Sequence, residues 1–216
     1  MGPQRRIGLT GGIASGKSSV GRLLAQRGLP LLDADVEARR ALAPGSDGAR
    51  AVLERYGAAV QPADARDSGL IDRAALGRIV FADAAERRWL EALVHPLVRA
   101  RFEAQLQALA AAPVLVLVIP LLFETGLEAL CSEVWLVDCE EDQQLQRLLA
   151  RDGLSPAEAR DRLNAQWPLS RKRALADLLI DNRGDPSLLD GAVAQALAAS
   201  PGAQPALLPP ESAAGC

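Results

Sequence analysis

Residues Ile7–Ser18 read IGLTGGIASGKS, and this stretch decides the fold. From Gly11 to Ser18 it matches the phosphate-loop pattern G-x-x-x-x-G-K-[ST] at every fixed position. The preceding Arg5–Thr10 reads as a short strand, and Lys17–Arg27 carries apolar residues at helical spacing. A strand, a glycine-rich turn and a helix in this order begin a parallel α/β sheet.

Each part of this loop suits the binding of phosphate groups. Glycines let backbone N–H groups converge on phosphate oxygens, and the N-terminus of the following helix adds its positive dipole end. The Lys17 ammonium supplies charge for the β- and γ-phosphates, and the Ser18 hydroxyl is a predicted Mg²⁺ ligand. A chance glycine-rich turn is disfavoured because motif and context agree. The predicted nucleotide-binding residues here are Gly12, Ile13, Ala14, Ser15, Gly16, Lys17, Ser18 and Ser19.

The composition excludes several classes of protein. The 216 residues are 49% hydrophobic and 24% charged with a net charge of −3, which suits a soluble protein with a buried core. That charge offers no bulk attraction for nucleic acid or anionic membrane. The three cysteines lack C-x-x-C spacing, and the longest apolar run, Pro113–Phe123, is about half a membrane span. Met1–Thr10 is too short and polar for a signal peptide. We therefore expect a cytoplasmic protein that binds neither nucleic acid nor membrane.

The pattern along the chain predicts five strands separated by helices. The strands are Arg5–Thr10, Leu29–Leu32, Val114–Ile119, Val134–Val137 and Leu178–Ile180. Roughly 75 residues between the second and third strands show helical patterns and no strong strand, far more than one crossover helix requires. The helices predicted there are Val36–Ala43, Asp47–Tyr56, Arg73–Val80, Ala84–Leu93 and Leu97–Ala111. Those predicted later are Glu141–Asp152, Ser155–Trp167 and Ser187–Ala199.

A phosphate loop alone names no reaction. A GTPase would need D-x-x-G between the second and third strands, and the sequence has none. A motor ATPase usually places one acid or an Asp-Glu pair at the end of an apolar strand. Asp138 follows the strand Val134–Val137 but has no second acid next to it, and the chain is short, so a motor ATPase is disfavoured. Asp33 ends the second strand, where a parallel sheet forms its sites, and could accept the proton of a substrate hydroxyl. Asp33 could instead cap the next helix, a role that Asp35 could also fill.

Five signatures follow one another along the chain. They are the loop from Ile7, Asp33-Ala34-Asp35, Leu93-Val94-His95-Pro96-Leu97, Pro120-Leu121-Leu122-Phe123-Glu124, and Ala176-Asp177 with Ile180-Asp181-Asn182. In this order and spacing they resemble the dephospho-CoA kinase family. The resemblance implies ATP-dependent phosphorylation of the ribose 3′-hydroxyl of dephospho-CoA with Mg²⁺, giving CoA and ADP. It also implies a P-loop NTPase fold of the nucleoside-monophosphate-kinase type, in which a five-stranded parallel sheet flanked by helices carries a helical substrate-binding insertion and a lid.

The resemblance assigns parts of the chain to functions. Residues 1–35, 113–140 and 174–200 correspond to the nucleotide-binding core, 36–112 to the CoA-binding domain and 141–173 to the lid. Residues 201–216 have no family counterpart and are predicted to be a disordered tail. Asp33 matches the catalytic aspartate, and Asn182 matches the region that touches adenine. Ala14 stands where the family usually has glycine, so it would be strained if that position required positive φ.

Several further residues have two readings. His95 is the only histidine. Beside Pro96 it is typical of a helix start, whereas the family motif implies a substrate-binding residue that orients the CoA-binding domain or a phosphate. Glu124 could order Mg²⁺ waters or hold a substrate amine, or serve as a helix N-terminal acid. Arginines are dense in the lid, where such groups neutralise a transferring phosphoryl group, although arginine replaces lysine almost everywhere. Arg147 is the first candidate as a catalytic arginine, alongside Asp33 and Lys17, and Arg171 the second.

Two rival functions stay open at the level of sequence. One is another small-molecule or nucleoside monophosphate kinase; the other is a non-catalytic nucleotide-binding regulator, which would tolerate loss of Asp33 or Lys17. The protein is expected to be a monomer or a small homo-oligomer. Of the 24 basic residues only Lys17 and Lys172 are lysines, and the sequence explains Lys17 alone.

Overall fold

The computed structural model describes residues 4–64 and 68–199, so the predicted tail, 201–216, lies outside the described residues. Within those ranges a five-stranded parallel sheet has the order β2-β3-β1-β4-β5. The strands are β1 (Arg5–Gly11), β2 (Leu31–Asp33), β3 (Val114–Val118), β4 (Glu133–Asp138) and β5 (Leu178–Asp181). The predicted sheet is confirmed.

The phosphate loop follows the central strand. Ile7 of β1 pairs with Val116 of β3 on one side and with Glu133 of β4 on the other. Alternate residues of these strands are apolar on both faces, as a sheet covered on both sides requires. Trp135 and its neighbours on one face pack against the helices Lys17–Gln26 and Leu189–Ala199, and Leu136 on the other face packs against Leu169. The sheet is therefore covered on both faces, and its central strand leads into the phosphate loop.

Helices connect these strands. They are α1 (Lys17–Gln26), α2 (Ala34–Ala41), α3 (Asp47–Tyr56), α4 (Arg73–Ala82), α5 (Ala84–Ala108), α6 (Glu141–Asp152), α7 (Pro156–Asn164), α8 (Leu169–Arg173) and α9 (Leu189–Ala199). Short 3-10 helices lie at Gly57–Val60, Leu127–Leu130 and Pro186–Leu188. None of the helices in the described ranges is long and apolar enough to cross a membrane.

The described chain forms two compact units. Residues 4–32 and 109–199 form a core unit, and residues 33–64 and 68–108 form a helical unit. In the helical unit, Val52, Val60, Leu76 and Val80 make a separate buried cluster. Since each unit buries its own apolar residues, each has its own source of stability.

Polar contacts tie the helices of the helical unit together. Glu86 of α5 accepts hydrogen bonds from Arg55 Nε and Tyr56 OH of α3, both on Oε2, at 2.8 and 2.6 Å. These two bonds hold the pKa of the Glu86 carboxyl at about 2. Glu37 of α2 is buried and accepts a bond of 2.9 Å from Gln105 of α5. The long helix α5 is therefore bonded to both α2 and α3.

The prediction of two helices separated at Pro96 is wrong, because α5 runs through this proline as one helix of 25 residues. A proline inside a helix lacks the N–H that would bond four residues back, at a cost of about 3 kcal/mol. Here apolar side chains anchor both halves. Leu93 and its neighbours join the buried cluster before the proline, and Phe102 and Leu106 are buried after it. Tertiary packing thus overrides the local signal.

Other helices and strands begin or end a few residues from their predicted bounds. Strand β2 begins at Leu31 rather than Leu29, and α2 begins at Ala34 because Asp33 caps it. A capping box begins α7: Ser155 Oγ accepts from the Glu158 amide, and the Glu158 carboxylate accepts from the Ser155 amide. The five-residue α8 was not predicted.

Candidate functional site: the phosphate loop and its surroundings

The phosphate loop has the backbone geometry that its glycines permit. Gly11 has φ 155° and Gly16 has φ 102°, the latter at the N-cap of α1. A Cβ at Gly11 would lie 2.8 Å from the Val137 carbonyl oxygen. Ala14 has φ 57° and is the single non-glycine residue with positive φ in the described ranges. Ala14 therefore adopts the left-handed conformation, and the strain that we expected for an alanine at this position is present.

Backbone donors of the loop divide into two groups. The Ser15 amide donates to Gly12 O at 3.2 Å, and the Ser19 amide donates to Gly16 O at 3.0 Å. The Ile13 amide donates to the side chain of Gln166. These three donors are bonded inside the protein, so the amides considered for a ligand are those of Ala14, Gly16 and Ser18.

Lys17 folds over its own loop. Its Nζ donates to Gly11 O and Gly12 O, each at 2.8 Å. Ser18 is exposed at the second position of α1. A cation over the carbonyl groups and a hydroxyl beside a helix N-terminus fit the chemistry of a phosphate chain and its metal ion.

Asn182 connects the turn after β5 to the phosphate loop. Its side-chain Nδ2 donates to Ser15 O at 2.7 Å, and its backbone carbonyl oxygen accepts from Arg147 Nη2 at 2.9 Å. The flanking Arg183 donates three hydrogen bonds to Asp181, from its amide, Nε and Nη2, and these bonds hold the pKa of that carboxyl at about 2. Arg147 Nη1 is buried and without a hydrogen-bond partner among the described residues. The two predicted residues Asn182 and Arg147 therefore lie together beside the loop.

Asp138 forms an ion pair with Arg173. It is buried at the end of β4, where its Oδ1 accepts from Arg173 Nε at 2.8 Å. Arg173 also donates to the carbonyl oxygen of Cys139 at 3.2 Å. Burial raises the pKa of the Cys139 thiol, outweighing the nearby Arg147 guanidinium, so this thiol is protonated at neutral pH and supplies no nucleophile.

Lys172 forms a buried ion pair that explains its presence. Its side chain is 0% exposed, and its Nζ lies 2.7 Å from Glu124 Oε1. The same carboxylate oxygen accepts from the Trp167 amide at 3.0 Å, and Nζ also donates to Pro120 O at 3.4 Å. A guanidinium is larger than an ammonium and needs a planar arrangement of acceptors. This buried position therefore suits lysine rather than arginine. The residues 166–173 are thus bonded to the loops that follow β1, β3 and β4.

Arg171 lies over an aromatic ring. Its guanidinium carbon is 3.2 Å from the centre of the Trp167 ring, a cation–π contact. Both side chains line a cavity of about 490 Å³ whose other walls include Phe123 and Cys131. Arg171 is exposed, so its guanidinium edge is accessible to solvent.

Two predicted residues belong to the helical unit. Asp33 is the N-cap of α2: its Oδ1 accepts from the Asp35 amide at 2.8 Å and from the Val36 amide at 3.4 Å. The capping alternative for Asp33 is therefore real, and both capping bonds use one carboxylate oxygen. His95 is exposed on α5, inside the helix rather than at its start.

Comparison with known proteins identifies the family. Residues 5–187 match the family model of dephospho-CoA kinase. This chain belongs to the dephospho-CoA kinase family. A protein named dephospho-CoA kinase from Synechococcus sp. (strain CC9605) is 62% identical over 201 residues, which are 93% of this chain and 96% of that protein.

Two solved structures resemble the chain closely enough to support this assignment. TT1252 from Thermus thermophilus has 38% identity and a TM-score of 0.75 over 91% of this chain and 98% of its own. Dephospho-CoA kinase from Campylobacter jejuni has 26% identity and a TM-score of 0.63 over 90% of this chain and 96% of its own. Membership of this family of kinases implies a nucleotide substrate and a small-molecule acceptor.

Sequence reasoning missed the side chains that support the loop of this dephospho-CoA kinase family member. Gln144 Nε2 donates to Ile13 O at 2.6 Å, and Gln166 accepts from the Ile13 amide at 2.9 Å. Both residues looked like ordinary polar positions of helices. A usable signal existed for Lys172 alone, since it is one of two lysines in an arginine-rich chain.

Proposed function

We propose that this chain transfers the γ-phosphate of ATP to the ribose 3′-hydroxyl of dephospho-CoA, giving coenzyme A and ADP. The observation that carries the proposal is a phosphate loop of the required geometry in a chain of the dephospho-CoA kinase family. Phosphoryl transfer depends mainly on positioning and on neutralising charge, and the groups around the loop supply both.

The loop would bind the phosphates of ATP. We assign the direct contacts to the amides of Ala14, Gly16 and Ser18 and to the Lys17 ammonium, which would exchange its two carbonyl partners for phosphate oxygens. Gly12, Ile13, Ser15 and Ser19 complete the predicted binding stretch; the amides of the last three are already bonded within the protein, so these residues would act by holding the loop's shape.

A magnesium ion fits beside Ser18. The exposed hydroxyl at the start of α1 is the oxygen ligand that this ion prefers, and phosphate oxygens would complete its shell. When bound, the ion neutralises charge on the β- and γ-phosphates. Lys17 would add its own charge from the protein side and would favour the transition state, in which that charge spreads.

Asp33 is the proposed general base. The residue ends β2 at the carboxyl edge of the sheet, where parallel α/β folds form their sites. Capping uses Oδ1, which leaves Oδ2 as the oxygen that would accept the 3′-hydroxyl proton.

The remaining site residues have supporting roles in this proposal. Arg147, whose Nη1 is buried and has no hydrogen-bond partner within residues 4–64 and 68–199, is the proposed cation for the transferring phosphoryl group. Asn182 would contact adenine with the turn that its amide fixes, and Arg171 would offer a second cation for the nucleotide. His95 is proposed to contact dephospho-CoA. Glu124 is held by Lys172, so a contact of its carboxylate with substrate is a prediction that rests on the family motif.

The two units would divide the work. We propose that 36–112 binds the CoA portion and that 141–173 acts as a lid over the nucleotide, with 1–35, 113–140 and 174–200 as the core. Support comes from the separate apolar cluster of the helical unit and from its lack of strands within residues 34–64 and 68–108.

A coupled ADP-release assay tests the function. Dephospho-CoA should support turnover, whereas AMP, adenosine and shikimate should give rates at least about 100-fold lower. Faster turnover with AMP would favour a nucleoside monophosphate kinase, and ATP binding without turnover on any acceptor would favour a regulator. Lys17→Ala should abolish turnover while the far-ultraviolet spectrum of the fold is retained.

A further inference from the structure

Two glutamine side chains hold the phosphate loop from opposite sides of one residue. Gln144 Nε2 donates to Ile13 O at 2.6 Å, and Gln166 Oε1 accepts from the Ile13 amide at 2.9 Å. Gln144 lies in α6 and Gln166 lies just beyond α7, so the two residues come from different parts of the segment 141–173. Both backbone hydrogen-bonding groups of Ile13 are thereby bonded to side-chain amides.

The surroundings are built to admit these amides. Gln144 is 4% exposed, so its amide is not a surface group that meets the loop by chance. A Cβ on Gly12 would collide with the Gln144 amide, which means that glycine at this position makes room for it. The next residue, Ala14, has the strained φ of 57°. The Ile13 contacts therefore lie beside the residue at which the loop backbone adopts the left-handed conformation.

We infer that Gln144 and Gln166 are positioning residues for nucleotide binding. One donates and the other accepts, so together they allow only one orientation of the backbone at Ile13. A flip of the Ile13–Ala14 peptide would break the bond to Gln144 and would put the Ile13 carbonyl oxygen where the Ala14 N–H points, which is the amide that we assign to the phosphates. A flip of the Gly12–Ile13 peptide would break the bond to Gln166. Holding that backbone before the nucleotide arrives removes an ordering cost from binding. The inference rests on the proposed function and assigns these two residues to its phosphate site.

Glutamate substitutions separate hydrogen-bond polarity from charge. Gln144→Glu replaces the donor facing the Ile13 carbonyl with a second acceptor, whereas Gln166→Glu keeps an acceptor for the Ile13 amide. Each adds one negative charge near the same residue. Gln146→Glu adds the same charge on the exposed side of α6 and is the matched control.

The measurement is the Kd for Mg-ATP by isothermal titration calorimetry, which needs no turnover. Gln144→Glu should weaken binding at least about tenfold more than Gln166→Glu, and Gln146→Glu should stay within about twofold of wild type. Equal losses for the first two variants would show that charge alone matters and would overturn the inference. If Gln144→Glu does not fold, Gln144→Met removes the donor at similar volume and should weaken binding about 3- to 10-fold; an unchanged Kd would overturn the inference.

Kinetics distinguishes positioning from general stability. In the ADP-release assay the KM for ATP should rise in Gln144→Met while the KM for dephospho-CoA stays unchanged, and a rise of both in parallel would contradict the assignment. Failure of wild-type protein to phosphorylate dephospho-CoA would refute the proposed function. The binding comparison would still decide the role of the glutamines.

Discussion

Removing the Lys172 ammonium should destabilise the fold strongly. The side chain is 0% exposed and lies 2.7 Å from Glu124, whose own side chain is 14% exposed. In Lys172→Met the Glu124 carboxylate keeps the Trp167 amide as its donor but loses its counter-charge. Breaking a buried ion pair on one side costs about 3–5 kcal/mol. For a chain of this size that corresponds to a fall in Tm of about 6–20 °C.

The assay is thermal unfolding of four proteins followed by circular dichroism: wild type, Lys172→Met, Glu124→Gln and the double variant. Because the double variant leaves no unpaired charge, it should recover a large part of the loss, so the two single effects should not add. Arg171→Met, which removes the exposed cation next in sequence, should change stability by about 1 kcal/mol or less. A Tm for Lys172→Met within 2 °C of wild type, or a double variant no better than the singles, would refute the reasoning.

Three other predictions concern single residues. Asp33→Asn should keep the α2 cap, since asparagine caps as well as aspartate, and should lower kcat about 10²- to 10⁴-fold with an unchanged Kd for ATP; a wild-type rate would remove Asp33 from the mechanism. Ala14→Gly should be stabilising by up to about 1.5 kcal/mol in urea unfolding, whereas Ala25→Gly in α1 should be destabilising by about 0.5–1 kcal/mol, and a destabilised Ala14→Gly would contradict the strain. Burial raises the pKa of the Cys131 thiol to about 12, so iodoacetamide at pH 8 should label it far more slowly in native than in urea-unfolded protein, and equal rates by peptide mass spectrometry would argue against burial. The same shift should make stability fall as pH rises from 9 toward 12, less so in Cys131→Ser.

The sheet was predictable because its signals are local. Apolar β-branched runs such as Val114–Val118 and the loop from Gly11 specify strands and a turn without reference to distant residues. The helix α5 was not, since the local signal of Pro96 opposes it and only packing of residues on both sides keeps it continuous. Sequence periodicity does not report that packing.

The candidate site divides in the same way. Lys17 and Ser18 stand at fixed positions of a motif and could be named from the sequence. The partners of Lys172, Ile13 and Asp138 lie 35 to 153 positions away along the chain, so only the folded arrangement brings them together. The capping interpretation of Asp33 is confirmed, whereas its catalytic role stays a prediction that assigns the chemistry to the second carboxylate oxygen.

The most direct test of the central claim is the position of the transferred phosphate. The wild-type protein is incubated with ATP labelled in the γ-phosphate, Mg²⁺ and dephospho-CoA, and the product is analysed by ³¹P NMR and mass spectrometry. We expect one new phosphate monoester, on the ribose 3′-hydroxyl, that carries the label. Label in inorganic phosphate alone, or on any other hydroxyl, would contradict it.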